Sequence, residues 1–195
     1  MTATHIPAPA EISRADNPPP RSGAGAPGMW VFLATDAMGF GGLLIAYAVL
    51  RVRAASWPDP RVRLALAPAA IMTFLLLASS LTMALAAAAQ RPGARRGWLL
   101  ATLLLGLAFL AGGAIEYAHL LSGAPAMGLA TDLYASTFYA LTGFHGAHVL
   151  VGVGALAWLL VRRAGSGPLA VMGLYWHFVD LAWMPIFTFL YLLPS

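Results

Sequence analysis

Met29-Trp30-Val31-Phe32-Leu33-Ala34-Thr35-Asp36-Ala37-Met38-Gly39-Phe40-Gly41-Gly42-Leu43-Leu44-Ile45-Ala46-Tyr47-Ala48-Val49-Leu50 decides the fold class of this chain. The run is long and apolar enough to cross a bilayer as a helix, yet it carries one acid, Asp36. At the helical rise per residue, Asp36 lies roughly 10 Å inside the end marked by Met29 and Trp30, too deep for so short a side chain to reach bulk water. A carboxyl inside a membrane is expensive, faces protein or trapped water, and marks a candidate functional group.

The rest of the chain has the same character. Of 195 residues, 60% are hydrophobic and only 9% are charged, and the mean hydropathy is positive, well outside the range of soluble domains. Spans of roughly 20 apolar residues fit five times with short connections. The expected fold is therefore all-α, an integral membrane bundle of five transmembrane helices over residues 29–195. The sequence has no cysteine, which excludes disulfides, thiolate metal sites and covalent haem attachment, so a metal would have to be held by His and carboxylate. The net charge of +4 comes from arginines beside the spans, a pattern of topology signals and lipid headgroup contacts, with no nucleic-acid partner indicated.

Residues 1–28 are rich in Pro and Ala, include Pro18-Pro19-Pro20, and read as a disordered cytoplasmic tail rather than a signal peptide. After the first span comes a basic, proline-punctuated loop with Arg51, Arg53, Trp57, Pro58, Pro60, Arg61 and Arg63. The second span runs from about Leu66 to Ala89 and the third, after the Arg91–Arg96 turn, from about Gly97 to Leu121. The fourth runs from about Leu133 to Val161 and the fifth from about Leu169 to Leu193. Seven arginines fall on the N-terminal side of the membrane and four on the other, which favours a cytoplasmic N-terminus and a periplasmic or extracellular C-terminus. Trp57, Tyr134 and Tyr191 fall near the proposed outer surface, and Trp30, Trp98 and Trp158 near the inner one. Pro185 removes the bond to the carbonyl of Leu181 and is expected to bend the last helix.

Three spans carry polar pairs at helical spacing: Glu116 with His119, His145 with His148, and His177 with Asp180. The Glu-x-x-His spacing also occurs in di-iron carboxylate bundles. Depth argues against one shared metal, because Glu116 and His119 sit near the outer surface. Asp36, His177 and Asp180 lie roughly 10 to 16 Å from the inner one, with His145 and His148 near mid-depth. Interhelical hydrogen bonding is the preferred reading of these six residues; a His-based metal site and metal-free proton handling are the alternatives. Asp36 is either a hydrogen-bond donor to a neighbouring helix or a proton-exchanging group. His177 and Asp180 are expected to be able to pair with each other, and the aromatics around them to be packing surface.

Two longer stretches say more. Tyr134-Ala135-Ser136-Thr137-Phe138-Tyr139-Ala140-Leu141-Thr142-Gly143-Phe144-His145-Gly146-Ala147-His148-Val149 resembles the signature of subunit III of haem-copper terminal oxidases, and Tyr175-Trp176-His177-Phe178-Val179-Asp180-Leu181-Ala182-Trp183 resembles that family's final helix. The segments Trp30 to Gly42 and Ile115-Glu116-Tyr117 are similar to two further helices of the family, in the same order. The resemblance covers Met29 to the C-terminus and fits the short five-helix bacterial form of cytochrome c oxidase subunit 3, without the first two helices of longer members.

The resemblance implies a non-redox accessory subunit of the bacterial inner membrane. Such a subunit has no catalytic centre and no metal or cofactor of its own, packs with subunits I and II, which hold haem and copper, and contacts membrane lipids, with bound phospholipid allowed. Family knowledge adds support of sustained proton uptake and of complex stability, but the usual lipid cleft needs the two absent helices. Asp36 stands where cytochrome c oxidase members carry Glu, so a quinol oxidase or nitric-oxide-reductase-associated complex is the alternative parent. From another class, the alternative is a self-contained membrane metalloprotein using the histidines and Glu116.

Overall fold

A computed structural model describes residues 25–123, 126–129 and 131–193. Its elements are α1 (Gly25–Arg53), a single turn α2 (Pro60–Arg63), α3 (Leu66–Ala88), α4 (Pro92–Ser122), α5 (Leu133–Arg162) and α6 (Ser166–Phe187), which continues into a π-helical turn (Thr188–Leu192). No strand forms among the described residues, and the five long helices are each apolar and long enough to cross a membrane. The chain is a multi-pass membrane protein.

Two helices begin earlier than the sequence reading placed them. α4 starts at Pro92, whose fixed φ and missing N–H suit the first helical position, so the expected turn Arg91–Arg96 is largely its first turn. α1 starts at Gly25, taking in the last four residues of the tail; residues 1–24 lie outside the described residues. Pro185 sits inside α6, and the helix passes through it before widening into the π turn at Thr188.

Short links make chain neighbours antiparallel, and here they close a ring: α3 packs on α4, α4 on α5, α5 on α6, and α6 back on α3. α1 lies outside this four-helix ring, in the angle between α6 and α5. α6 therefore touches three other spans and carries much of the core, including Trp176, Val179, Trp183 and Ile186. The end of the bundle where α1 begins is called the near end below, and the opposite end the far end.

Lipid supplies no hydrophobic drive between helices, so close backbone approach and polar contacts must hold the ring. Both are present around Trp176. Its ring fills the space over Gly106 of α4 and Gly152 of α5, where an added Cβ would come within 2.8 Å of ring carbons at each site. Its indole N–H donates to Ser79 of α3 at 3.0 Å. One side chain thus ties three helices to α6. One face further along, the Trp183 indole donates to Thr73 of α3 at 2.9 Å, and α3 and α4 are joined by the hydroxyls of Thr82 and Thr102 at 2.8 Å.

The far end is closed differently. The last carbonyls of any helix lack intrahelical partners, and here Tyr47 of α1 donates to the carbonyl of Phe189 at 2.8 Å while Tyr134 of α5 donates to that of Leu190 at 2.9 Å. Trp57 fits edge-on between the two tyrosines. Beside them Asp132 is the N-cap of α5, accepting from the Ala135 N–H at 2.8 Å and pairing with Arg63 of α2. Burial alone would raise the Asp132 carboxyl, but the Ala135 N–H and then the Arg63 guanidinium outweigh it and hold it below its ordinary value.

Two outcomes are expected from this packing. Gly152→Ala and Gly106→Ala force a rigid indole to move and should each destabilise the bundle by about 1–3 kcal/mol. Gly112→Ala should cost less, because the atoms it would meet belong to the flexible Met72 side chain. Midpoints of detergent unfolding compare the three. For Asp132, a lowered folded pKa means a contribution that is complete above the ordinary value of 3.8 and is lost as pH falls through and below it. Asp132→Ala should therefore cost about 1 kcal/mol at neutral pH, with the gap to the parent protein shrinking below about pH 4.

Candidate functional site

Asp36 is half-turned into the bundle from α1 and meets His148 of α5, with Oδ1 3.1 Å from Nε2. The other ring nitrogen of His148, Nδ1, lies 2.8 Å from the carbonyl of Phe144, one turn back on the same helix. A carbonyl only accepts, so Nδ1 carries a proton. The Nε2 to Oδ1 contact then needs one further proton between a ring nitrogen and a carboxylate oxygen, carried by either atom. Without it, two lone pairs would face each other. The pair is thus a one-proton unit, and only 11% of the Asp36 side chain and 16% of the His148 side chain are exposed. Phe40, Phe144 and the His148 ring pack against one another around it. Tyr175 of α6 donates to the backbone carbonyl of His148 at 2.9 Å and ties the pair to the ring.

His145, one turn away on α5, is fully buried. Its ring lies among Phe40, Phe109 and Trp183, with the Trp183 ring centre 4.9 Å away. Neither of its nitrogens meets a hydrogen-bond partner among the described residues. The expected pairing of His177 with Asp180 does not form. His177 is bonded across to Ser80 of α3, with Nδ1 2.6 Å from the hydroxyl. Ser80 also stands beside Asp180, but its close contact is with the imidazole, and both carboxyl oxygens of Asp180 are buried without a hydrogen bond. His177 turns outward to the Ser80 hydroxyl of α3, whereas the Asp180 carboxyl is buried inside the bundle.

Glu116 sits toward the far end of α4, where Oε2 accepts from Tyr191 at 2.8 Å and Oε1 is buried without a donor. Two of the residues expected to be buried are not. His119 is exposed at the last turn of α4, and His177 is exposed on the outer side of α6. No three His, Asp or Glu side chains converge to a metal-ligand cluster among the described residues. Asp36, Glu116 and His177 instead each pair with a single side chain from another element.

The pairing of Asp36 with His148 corrects the depth reading, which put them at different levels. α5 is 30 residues long, more than a straight crossing needs, so counting from its end misplaces its middle. The partners Tyr191 and Ser80 carried no motif of their own, and Tyr175 stood in the final-helix stretch without an assigned partner. For Tyr191 the one usable signal was the buried acid Glu116, which calls for a donor at the same depth.

Known proteins match this chain along nearly all of the described helices. The family model for cytochrome c oxidase subunit III matches residues 26–195. A protein named cytochrome c oxidase subunit 3 from Alkalihalophilus pseudofirmus is 39% identical over 176 residues, covering 85% of each chain. A probable cytochrome c oxidase subunit 3 from Mycobacterium tuberculosis is 38% identical over 175 residues, covering 84% of this chain and 85% of its own. The cytochrome c oxidase subunit 3 of a Synechocystis strain is 37% identical over 180 residues, covering 85% of this chain and 74% of its own. The matched region takes in Asp36, His148 and all five spans, and the chain belongs to the cytochrome c oxidase subunit III family.

Proposed function

We propose that this chain is the non-redox subunit III of a bacterial haem-copper respiratory oxidase, of the cytochrome c oxidase type. It packs on subunit I, with subunit II in the same complex, and carries no redox group itself. The observation that carries this reading is how the polar groups within the spans are used. Asp36 with His148, Ser80 with His177 and Tyr191 with Glu116 each fasten two helices together. The family match supplies the parent complex, and the relatives named cytochrome c oxidase subunit 3 favour cytochrome c over quinol as its donor. The arginine distribution supports an inner-membrane orientation with the N-terminus cytoplasmic.

The role extends to sustaining proton uptake and complex stability, and Asp36 is the group we assign to it. Its contact with His148 holds one proton between the two side chains, and the Phe144 carbonyl and Phe40 fix the imidazole that shares it. Bound phospholipid fits a groove of about 920 Å³ between the far ends of α3 and α4. Ile71, Leu75 and Ala108 give it an apolar floor, and Arg63 and His119 stand at its mouth for a phosphate headgroup.

A tag on this chain should bring down a haem-containing subunit I together with subunit II, and recovery of a stable haem-free protein alone would overturn the assignment. Within that complex, Asp36→Asn keeps a donor for Nε2 but no exchangeable acid. It should assemble normally and lose activity several-fold faster during continuous turnover, read by oxygen consumption. Unchanged durability would make the acid purely structural. Asp36→Ala removes the hydrogen bond as well and should lower the yield of intact complex.

A further inference from the structure

α6 and its π turn cross the membrane over Ser166–Leu192, which places His177 about 16 Å from the near end of the span, at the level of the bilayer centre. It faces outward between α1 and α3 and is exposed on the chain. Around it the surface is apolar: Leu181 is 67% exposed, Met184 37%, and Leu77 and Leu81 of α3 also face out. Only Nδ1 is engaged, by Ser80.

Among the described residues, no other exposed histidine lies at mid-span. The outward hydroxyls of Thr35, Thr137 and Thr188 bond back to carbonyls of their own helices and present little polarity to the surroundings. An imidazole has no carbonyl of its own turn to serve it here, and it is too short to reach either headgroup region. Hydrocarbon leaves such a ring nitrogen without a partner at a cost of several kcal/mol. The Ser80 hydroxyl can donate or accept, so the free Nε2 can do either in return.

We propose that the face of α3 and α6 around Ser80 and His177 is a protein interface, covered in the membrane by a transmembrane helix of a partner subunit. That helix presents a hydroxyl, amide or imidazole group to Nε2 of His177 at mid-membrane. The inference rests on the reading of this chain as an oxidase subunit, and it adds which side of the bundle the complex is built on. Leu181 and Met184 supply the apolar contact on one side of the histidine, and Leu77 and Leu81 on the other. The single polar contact fixes register, since a slide by one turn would leave Nε2 against hydrocarbon.

The experiment is photo-crosslinking in the intact complex, with Leu181→p-benzoylphenylalanine and His177 left unchanged. An adduct to another membrane subunit is expected. Adducts to lipid alone, or to a second copy of this chain, would overturn the proposal. In parallel, His177→Leu should lower the haem recovered per tagged chain several-fold, while His177→Gln, which keeps a hydrogen-bonding group, should restore most of it. Equal haem recovery from His177→Leu and the parent would also overturn it. Haem in the parent preparation tests the subunit reading separately. A haem-free preparation whose Leu181 adduct is a different membrane protein would retain the interface and discard the oxidase.

Discussion

Hydrocarbon offers no hydrogen bonds, and the architecture follows from that constraint. A polar atom inside the five spans can be answered only by another part of the protein, and where one is answered across the bundle the partner comes from a neighbouring helix. Trp176 donates to Ser79, Trp183 to Thr73, and Asp36 meets His148. Because these contacts lie between helices, satisfying the polar groups and assembling the bundle are the same event. α6 and its π turn make the largest share, through Trp176, Trp183, His177 and Tyr191, and α6, like α5, packs on three other spans.

The constraint also explains how so few charged residues organise so much structure. In water an exposed hydrogen bond is worth little net free energy, since solvent competes for both partners. Within the membrane the competitor is absent, so a single serine or threonine at the right depth selects a partner and a register. Ser79, Thr73 and Thr102 are small enough to sit under a neighbouring helix and polar enough to hold it there. Glycine at 106 and 152 does the complementary work by letting an indole ring lie flat on two backbones.

Much of this was legible in the sequence and some was not, for identifiable reasons. Five spans followed from run length and hydropathy, and the Thr142–His148 and Tyr175–Trp183 stretches pointed to the family before any coordinates. Asp36 stood out as the one acid of its helix. Its partner did not, because matching His148 to it requires the vertical offset of α5 against α1, and a helix longer than the membrane hides that offset. The burial of His119 and His177 was misjudged for a related reason. A hydropathy pattern shows that a residue lies within a span but not which way it faces, and helices that are apolar all round carry almost no directional signal. The start of α4 at Pro92 was hidden by a turn-like composition that is equally suited to a first helical turn.

The position of α1 has a consequence for how the protein is made. Spans enter the membrane in chain order, so α1 arrives first, yet its contacts are with α5 and α6, the last two to arrive. Asp36 reaches its partner across 112 residues of sequence, and Tyr47 reaches the Phe189 carbonyl across 142. Until then α1 stands in the bilayer with an unanswered carboxyl. The marginal step in biogenesis is therefore the insertion of α1, and the helices that relieve it are α5, which answers Asp36, and α6.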